Sequence, residues 1–466
     1  MSRRSRRKLS RDPVELGVDD LSHDGRGVAS LDGKKVFVRG ALPGERVRAR
    51  LTGSQRRYDE AETLEVLDAS PDRVEPRCPH FGRCGGCSLQ HLDPARQIEA
   101  KQNTLVQNLA RIGKVTPAEL WPPLTASPWG YRRKARLSVR YVAAKDRVLV
   151  GFRETYSRFV ADIRECHVLD PRIAGQLPVL SELIHAMQAR ESIPQIEVAC
   201  GDDDCALIFR HLEPLDDGDR QKLLAFARDS GIAVLLQPGG PASIHTLQTG
   251  TRELSFRLPT YGLELAFGPS DFIQVNAEMN RCMIERALEL LAPAADDRVL
   301  DLFCGLGNFT LPIATVAAEC VGVEGDEELV RKARENAARN GLNNVSFYMA
   351  DLVADLATDG IPGPAAQGAT PGATRSVGGG APAWLQGRYD CALVDPPRSG
   401  AESVLPLLAA CGARRIVYVS CHPASLARDA GLLVHRFGFR LAGAGVMDMF
   451  PHTGHVESIA LFERAT

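Results

Sequence analysis

The sequence predicts a multidomain protein in three parts: a small N-terminal β-barrel, a central mixed α+β domain and a C-terminal open α/β sheet. Three observations predict it. At 466 residues the chain is too long for one hydrophobic core. From about Val14 to Asp68 short apolar runs are separated by tight-turn signals, as in small antiparallel barrels. Beyond Phe267, β-branched runs alternate with helical spacing and each run ends in an acid, as in a parallel sheet whose reacting groups collect at the carboxyl ends of its strands. The expected divisions are an arm at 1–11, a barrel at 12–69, a central domain at 70–267 and an α/β domain at 268–466.

Composition limits the function classes. Hydrophobic residues are 44% and charged residues 24% of the chain, and no apolar run approaches the ~18 residues of a membrane span. The N-terminus is basic and polar, unlike a secretory signal. A cytoplasmic protein with no membrane partner is expected, a monomer with no obligate protein partner. In that reducing compartment the twelve cysteines should be thiols, so clustered ones point to metal binding or catalysis. The net charge of -2 hides two basic segments: residues 1–60 hold 15 Lys+Arg against 9 Asp+Glu, and residues 131–158 hold 9 against 2. Such segments suit a polyanion, although a basic run is more often a solvated face.

In chain order, residues 1–11 carry six Arg/Lys and no acid, and are expected to form a disordered arm. Asp32-Gly33 is a hairpin signal, and Arg46 to Arg50 alternates basic with apolar residues, giving an OB-like barrel with basic outer faces. Cys78, Cys84 and Cys87 follow with the spacing C-x5-C-x2-C on a loop kept open by glycine and proline, so three thiolates can converge on one metal centre. An iron-sulfur centre and zinc both remain open, and Cys166 is the next cysteine able to complete the set. Residues 93–112 look helical, with Ile98, Leu105 and Leu109 on one face. From Tyr131 to Tyr141 basic, apolar and aromatic residues interleave on strand-like spacing, a pattern suited to holding phosphates and stacking on unpaired RNA bases. Between Gly360 and Pro382, 11 of 23 residues are Gly or Pro, which predicts a flexible insertion.

The α/β part carries the chemistry. A buried strand runs into Asp301-Leu302-Phe303-Cys304-Gly305-Leu306-Gly307-Asn308, and the next strand ends at Glu324. Glycines let a ligand approach the backbone, and an acid after the second strand accepts hydrogen bonds from ribose hydroxyls. The turn is shorter than a dinucleotide fingerprint and has no pyrophosphate cradle. That favours S-adenosylmethionine in a Rossmann-like domain, with Glu324 on the ribose, Asp351 on the adenine amino group, and Phe303 and Asn308 lining the pocket.

Cys421 follows a β-branched strand and precedes Pro423, so it stands on the loop at a strand's carboxyl end. Methylating oxygen or nitrogen needs no thiol. Methylating C5 of a pyrimidine does: a thiolate adding at C6 makes C5 nucleophilic, and a base must later remove the C5 proton. Glu457 is the expected base, with His452 and His455 as alternatives. The target must be an unpaired or flipped nucleotide.

Asp395-Pro396-Pro397-Arg398-Ser399-Gly400, Ser420-Cys421-His422-Pro423, Phe272-Ile273-Gln274-Val275-Asn276 and the stretch from Phe450 to Glu457 resemble the motifs of the RNA uracil-5-methyltransferases. The barrel resembles a TRAM domain, and Cys78, Cys84, Cys87 and Cys166 resemble the [4Fe-4S] site of the 23S rRNA enzymes in that family. The resemblance implies Cys421 as nucleophile, Glu457 as base, and Gln274, Phe303, Asn308, Glu324, Asp351 and Asp395 as S-adenosylmethionine contacts, with 23S rRNA as substrate. His422 stands where asparagine is usual, and Ser425 where threonine is common. The alternatives are C5 methylation of a tRNA uridine or of an RNA cytosine, and a non-catalytic RNA-binding iron-sulfur protein.

Overall fold

The computed structural model describes residues 12–250, 252–352 and 383–465. The expected arm at 1–11 and insertion at 360–382 lie outside the described residues. Strands β1 (Val14–Leu21), β2 (Gly27–Leu31), β3 (Lys34–Arg39), β4 (Arg46–Ser54) and β5 (Tyr58–Asp68) close a barrel in the order β1-β2-β3-β5-β4. Alternate residues, among them Leu16, Val36, Val47 and Ala61, fill its interior. The outward arginines of β4 do not form a bare cationic face. β5 lies antiparallel beside them and supplies an acid to each: Arg46 meets Asp68 at 2.7 Å, Arg48 meets Glu65 at 2.9 Å and Arg50 meets Glu62 at 3.0 Å.

A helix at Pro94–Asn108 starts on the Asp93 cap with proline at its first turn. It continues as one π-helical turn, Leu109–Gly113. Its apolar face, Ile98, Leu105 and Leu109, packs into the core of the C-terminal sheet, and β6 (Glu119–Leu120) adds to that sheet's edge. Trp121 packs against the strand Phe439–Met447 of that sheet, so close to Gly443 that a Cβ there would come within 2.3 Å of its ring. The stretch from 94 to 124, expected in the central domain, thus packs with the C-terminal one.

The central sheet takes the order β12-β11-β10-β9-β7-β8, built from β7 (Lys134–Val142), β8 (Arg147–Gly151), β9 (Gln195–Cys200), β10 (Cys205–Arg210), β11 (Ala233–Gln237) and β12 (His245–Thr246). Helices Leu177–His185 and Asp217–Ser230 cover it. Part of the basic segment read as an RNA surface is an interdomain joint instead. Tyr131 and Arg133 are buried: the Tyr131 hydroxyl donates to Pro451 O at 3.1 Å, and Arg133 Nε donates to Gln274 O at 2.9 Å.

A hairpin of β13 (Leu254–Leu258) and β14 (Leu263–Phe267) leads into the C-terminal sheet. There β15 (Arg298–Leu302), β16 (Glu319–Glu324), β17 (Val345–Met349), β18 (Cys391–Val394), β19 (Arg415–Ser420), β20 (Phe439–Met447) and β21 (Glu457–Arg464) take the order β17-β16-β15-β18-β19-β21-β20-β6. The first five in that order run parallel, and β21 is inserted antiparallel between β19 and β20. Among the described residues no helix is long and apolar enough to cross a membrane.

A candidate active site at the strand ends

After β15 the chain turns through Phe303, Gly305 and Gly307, with φ of 65°, 54° and 89°. The left-handed backbone explains the glycines, and Phe303 adopts it at a cost. Glu324, at the end of β16, is aimed at this turn. Its carboxylate accepts the N–H of Gly305 at 3.0 Å, Gly325 at 2.7 Å and Asp326 at 3.1 Å. Asn308 exchanges amide hydrogen bonds with Asn280 at 2.9 and 3.0 Å, tying the turn to helix Ala277–Leu291. That helix begins at the Asn276 cap, two residues after Gln274, whose carbonyl Arg133 holds. Asp351 follows β17 and is exposed, while Asp395 follows β18. The predicted cofactor residues therefore collect at the carboxyl ends of four parallel strands, with Gln274 on the loop leading into the tied helix.

Beneath the turn, Asp301 is fully buried. One oxygen accepts from the Thr310 hydroxyl at 2.5 Å, the other has no protein partner, and burial pushes its pKa up to about 8.

Cys421 comes directly after β19 and Glu457 opens β21. The register pairs Ser420 with Ser458, so the next residues outward, Cys421 and Glu457, stand opposite each other. Asp395, at the end of neighbouring β18, is the third member. Burial is the main cause of all three shifts. It raises Glu457 to about 8 and Asp395 to about 7. It raises the Cys421 thiol to about 11, with the charges of Glu457 and Asp395 adding to the rise. Arg398 opposes the shift of both Cys421 and Glu457.

His422 caps helix Pro423–His435, its Nδ1 accepting the Ser425 N–H at 3.3 Å. An asparagine side chain would serve the same cap, so the two unusual residues, His422 and Ser425, make a local pair rather than a change in the chemistry. His452 is buried, stacked on Trp129 with ring centres 4.0 Å apart, and its backbone N–H donates to Gln97 Oε1 at 3.0 Å. Burial lowers its pKa to about 4. His455 lies 3.4 Å from Arg398 and lines the same cleft as Cys421.

Two residues near Glu457 carried no expected role. Arg398 belongs to the stretch Asp395–Gly400. Lys101 is buried, its ammonium donating to Asp448 at 2.6 Å and to Phe450 O at 3.0 Å, and its charge favours ionised Glu457. The available signal was position: Lys101 falls between Ile98 and Leu105 on the apolar helix face, where a charge needs a partner.

The Cys421 cleft, about 820 Å³, is bounded by Arg398 and His455, by Arg132 and Phe152 of the central domain, by the loop at 85–88, and by His23 and Asp24 of the barrel. All three domains meet there. Cys78, Cys84, Cys87 and Cys166 line one small neighbouring cavity with Phe81 and Phe152. Burial raises every one of these thiols, Cys84 to about 11 and Cys87 to about 12. Four desolvated sulfurs around one space are disfavoured as free thiolates, but they fit as ligands to a positively charged metal centre.

Among the described residues, the group of metal-capable side chains whose ligand atoms all lie within 4.8 Å is a different one, Asp170 with Cys200 and Cys205. There the two cysteines are cross-strand partners, and Arg172 already donates to both Asp170 oxygens at 2.9 and 2.7 Å. A guanidinium in that position serves the carboxylate in place of a metal cation.

Residues 258–465 match the family model described as tRNA (Uracil-5-)-methyltransferase, and residues 8–64 match the TRAM domain. The chain is 55% identical over 464 residues to the 23S rRNA (uracil(1939)-C(5))-methyltransferase RlmD of Xanthomonas axonopodis pv. citri, with 99% of each chain covered. It is 54% identical over 462 residues to the RlmD of Alkalilimnicola ehrlichii, again with 99% of each covered. Among solved structures, the Pyrococcus abyssi tRNA (uracil-54, C5)-methyltransferase in complex with S-adenosyl-L-homocysteine matches with a TM-score of 0.69. That match covers 96% of this chain and 99% of the other at 23% identity, which shows a shared fold.

Proposed function

The chain belongs to the RNA uracil-C5-methyltransferase family, and from that premise we propose that it methylates C5 of a uridine in 23S rRNA through a covalent adduct on Cys421. The observation that carries this reading is the placement of a thiol and a buried carboxyl as facing residues across β19 and β21. The whole-length identity to the 23S rRNA enzymes supports the choice of substrate. We read the chain as a cytoplasmic monomer.

S-adenosylmethionine, when bound, supplies an electrophilic methyl group. On this chain Glu324 would take the ribose hydroxyls and Asp351 the adenine amino group, with Gln274, Phe303, Asn308 and Asp395 completing the pocket. Cys421 adds as thiolate to C6 of the uracil, and the positive charge of Arg398 favours that thiolate. C5 thereby gains the electron density it needs to accept the methyl group. Glu457 then removes the C5 proton, the C5–C6 double bond re-forms and Cys421 leaves. A carboxylate whose pKa is raised to about 8 is a stronger base than an ordinary glutamate, as the step requires.

Cys78, Cys84, Cys87 and Cys166 would hold a [4Fe-4S] cluster. The four thiols line one cavity together with Phe81, Phe152 and Ile163, an apolar surround that suits a cluster held by four cysteines.

The test is tritium release from 23S rRNA fragments labelled at C5 of uracil or of cytosine. Release from uracil alone is expected. Release from cytosine, or from neither, would overturn the assignment.

A further inference from the structure

Three arginine–aromatic pairs lead outward from the catalytic cleft. Arg132 stands 5.4 Å from the centre of the Phe152 ring, Arg39 stands 4.7 Å from Tyr156, and Arg158 stands 6.0 Å from Phe159. The three rings belong to a single connection, residues 152–160, which follows β8. It is closed by Glu154 N–H to Phe159 O and Ala161 N–H to Phe152 O, both 2.9 Å. Phe152 lines the Cys421 cleft, and both Phe152 and Tyr156 line the adjoining cleft between the barrel and the cysteine loop. The surface is continuous from the nucleophile to the hairpin tip.

Phe152 packs against the central core, but the other two rings are held by little: Tyr156 and Phe159 are 64% and 63% exposed, so burial of their apolar area contributes little. Tyr156 also holds a φ of 58°, an unfavourable state for a bulky residue. Electrostatics distinguish this surface from the barrel face, where β4 arginines are neutralised by β5 acids. Here the one acid of the hairpin, Glu154, is held by Arg83 at 2.9 Å, which leaves Arg153 and Arg158 without a carboxylate partner among the described residues. The hairpin is also fixed in place. Gly85 N–H donates to Arg153 O and Thr155 N–H to Arg83 O, both at 2.9 Å, so the backbone of the cysteine loop carries it.

We propose that residues 152–160 form a stacking platform for unpaired RNA bases beside the target uridine, and that the cysteine loop sets the platform's distance from Cys421. Exposed rings and guanidinium planes hold any base by its π-face, and unpaired cations hold the phosphates between. The proposal rests on the RNA methyltransferase reading and deepens it by naming single-stranded flanking nucleotides as what this surface binds.

The experiment compares the full-length protein, cluster intact, with the double variant Tyr156→Ala/Phe159→Ala, with Arg158→Gln and with Tyr156→Phe. Two RNAs are used: a 23S rRNA stem-loop with unpaired nucleotides flanking the target, and one trimmed to the target loop. The double variant should raise KM for the longer RNA about ten-fold, leave kcat at saturating RNA within about two-fold, and behave like wild type on the trimmed RNA. Arg158→Gln should raise KM less, and Tyr156→Phe, which keeps the ring, should match wild type. Unchanged KM in the double variant, or a fall in kcat with KM unchanged, overturns the platform. If the double variant loses its cluster absorbance or its fold, Arg158→Gln decides by the same readout. If the wild type methylates neither RNA, the reaction reading has failed. Filter binding of the longer RNA then tests the platform by itself, and equal affinity for wild type and double variant overturns it.

Discussion

Cys421 and Glu457 occupy facing positions at one end of the antiparallel pair β19–β21, one pair beyond Ser420 and Ser458. Side chains of directly opposed residues project to the same face of a sheet, so a strand register brings a thiol and a buried carboxyl to the same spot. Their mutual charge effect follows: ionised Glu457 raises the thiol, and Asp395 raises both.

Replacing the sulfur should abolish the reaction. Cys421→Ala is expected to lower methyl transfer by at least about 10³-fold while retaining RNA affinity within a few-fold, because the thiol's role is chemical. Single-turnover methylation with filter-binding controls checks it, and retained 5-methyluridine formation would refute the covalent scheme.

Removing the base should trap the intermediate. Glu457→Gln keeps size and burial but cannot accept the C5 proton, so the methylated adduct should persist. A denaturing gel should then show an RNA–protein band that Cys421→Ala, combined with it, eliminates.

The raised carboxyls set two pH trends. The active form needs Glu457 as carboxylate and Cys421 as thiolate, with pKa values near 8 and 11, so the single-turnover rate should climb from pH 6 to beyond pH 8. Stability runs the other way. A carboxyl whose folded pKa exceeds its unfolded value binds more protons when folded; the stability this contributes is complete below the ordinary carboxyl range and is lost as pH rises through about 8. Glu457→Gln should therefore melt above wild type at pH 8.5, with the gap narrowing toward pH 5. A gap that widens on acidification would contradict the burial of Glu457.

Anaerobically purified protein should carry about four iron and four sulfide per chain and absorb broadly in the visible. Cys84→Ser should lose that absorbance. Stoichiometric zinc without iron would reverse the cluster assignment.

Gly443→Ala would drive a Cβ to 2.3 Å from the Trp121 ring, and overpacking of this kind costs about 1–3 kcal/mol. Chemical denaturation should report that loss, with Gly438→Ala as a poor control because its φ of 74° is itself strained. Trp121→Ala in the Gly443→Ala background should recover part of the overpacking term.

The sequence by itself determined what is local. A β-branched run ending in an acid, a glycine turn after a strand, a cysteine before a proline and three closely spaced thiols are each contained in about a dozen residues, and short-range sterics and chemistry decide them. Hence the strand-end acids, Cys421, Glu457 and the cysteine loop were all legible. Tertiary structure decided what depends on neighbours distant in the chain: that β21 lies between β19 and β20 and so sets Glu457 against Cys421, that helix Pro94–Asn108 delivers Lys101 beneath the base, that β5 neutralises the β4 arginines, and that Arg133 is an internal brace rather than a phosphate contact. Periodicity reveals which face of an element is apolar but not which element covers it. That choice is made by strand register and by packing across the sheets, where residues hundreds apart compete for the same surface.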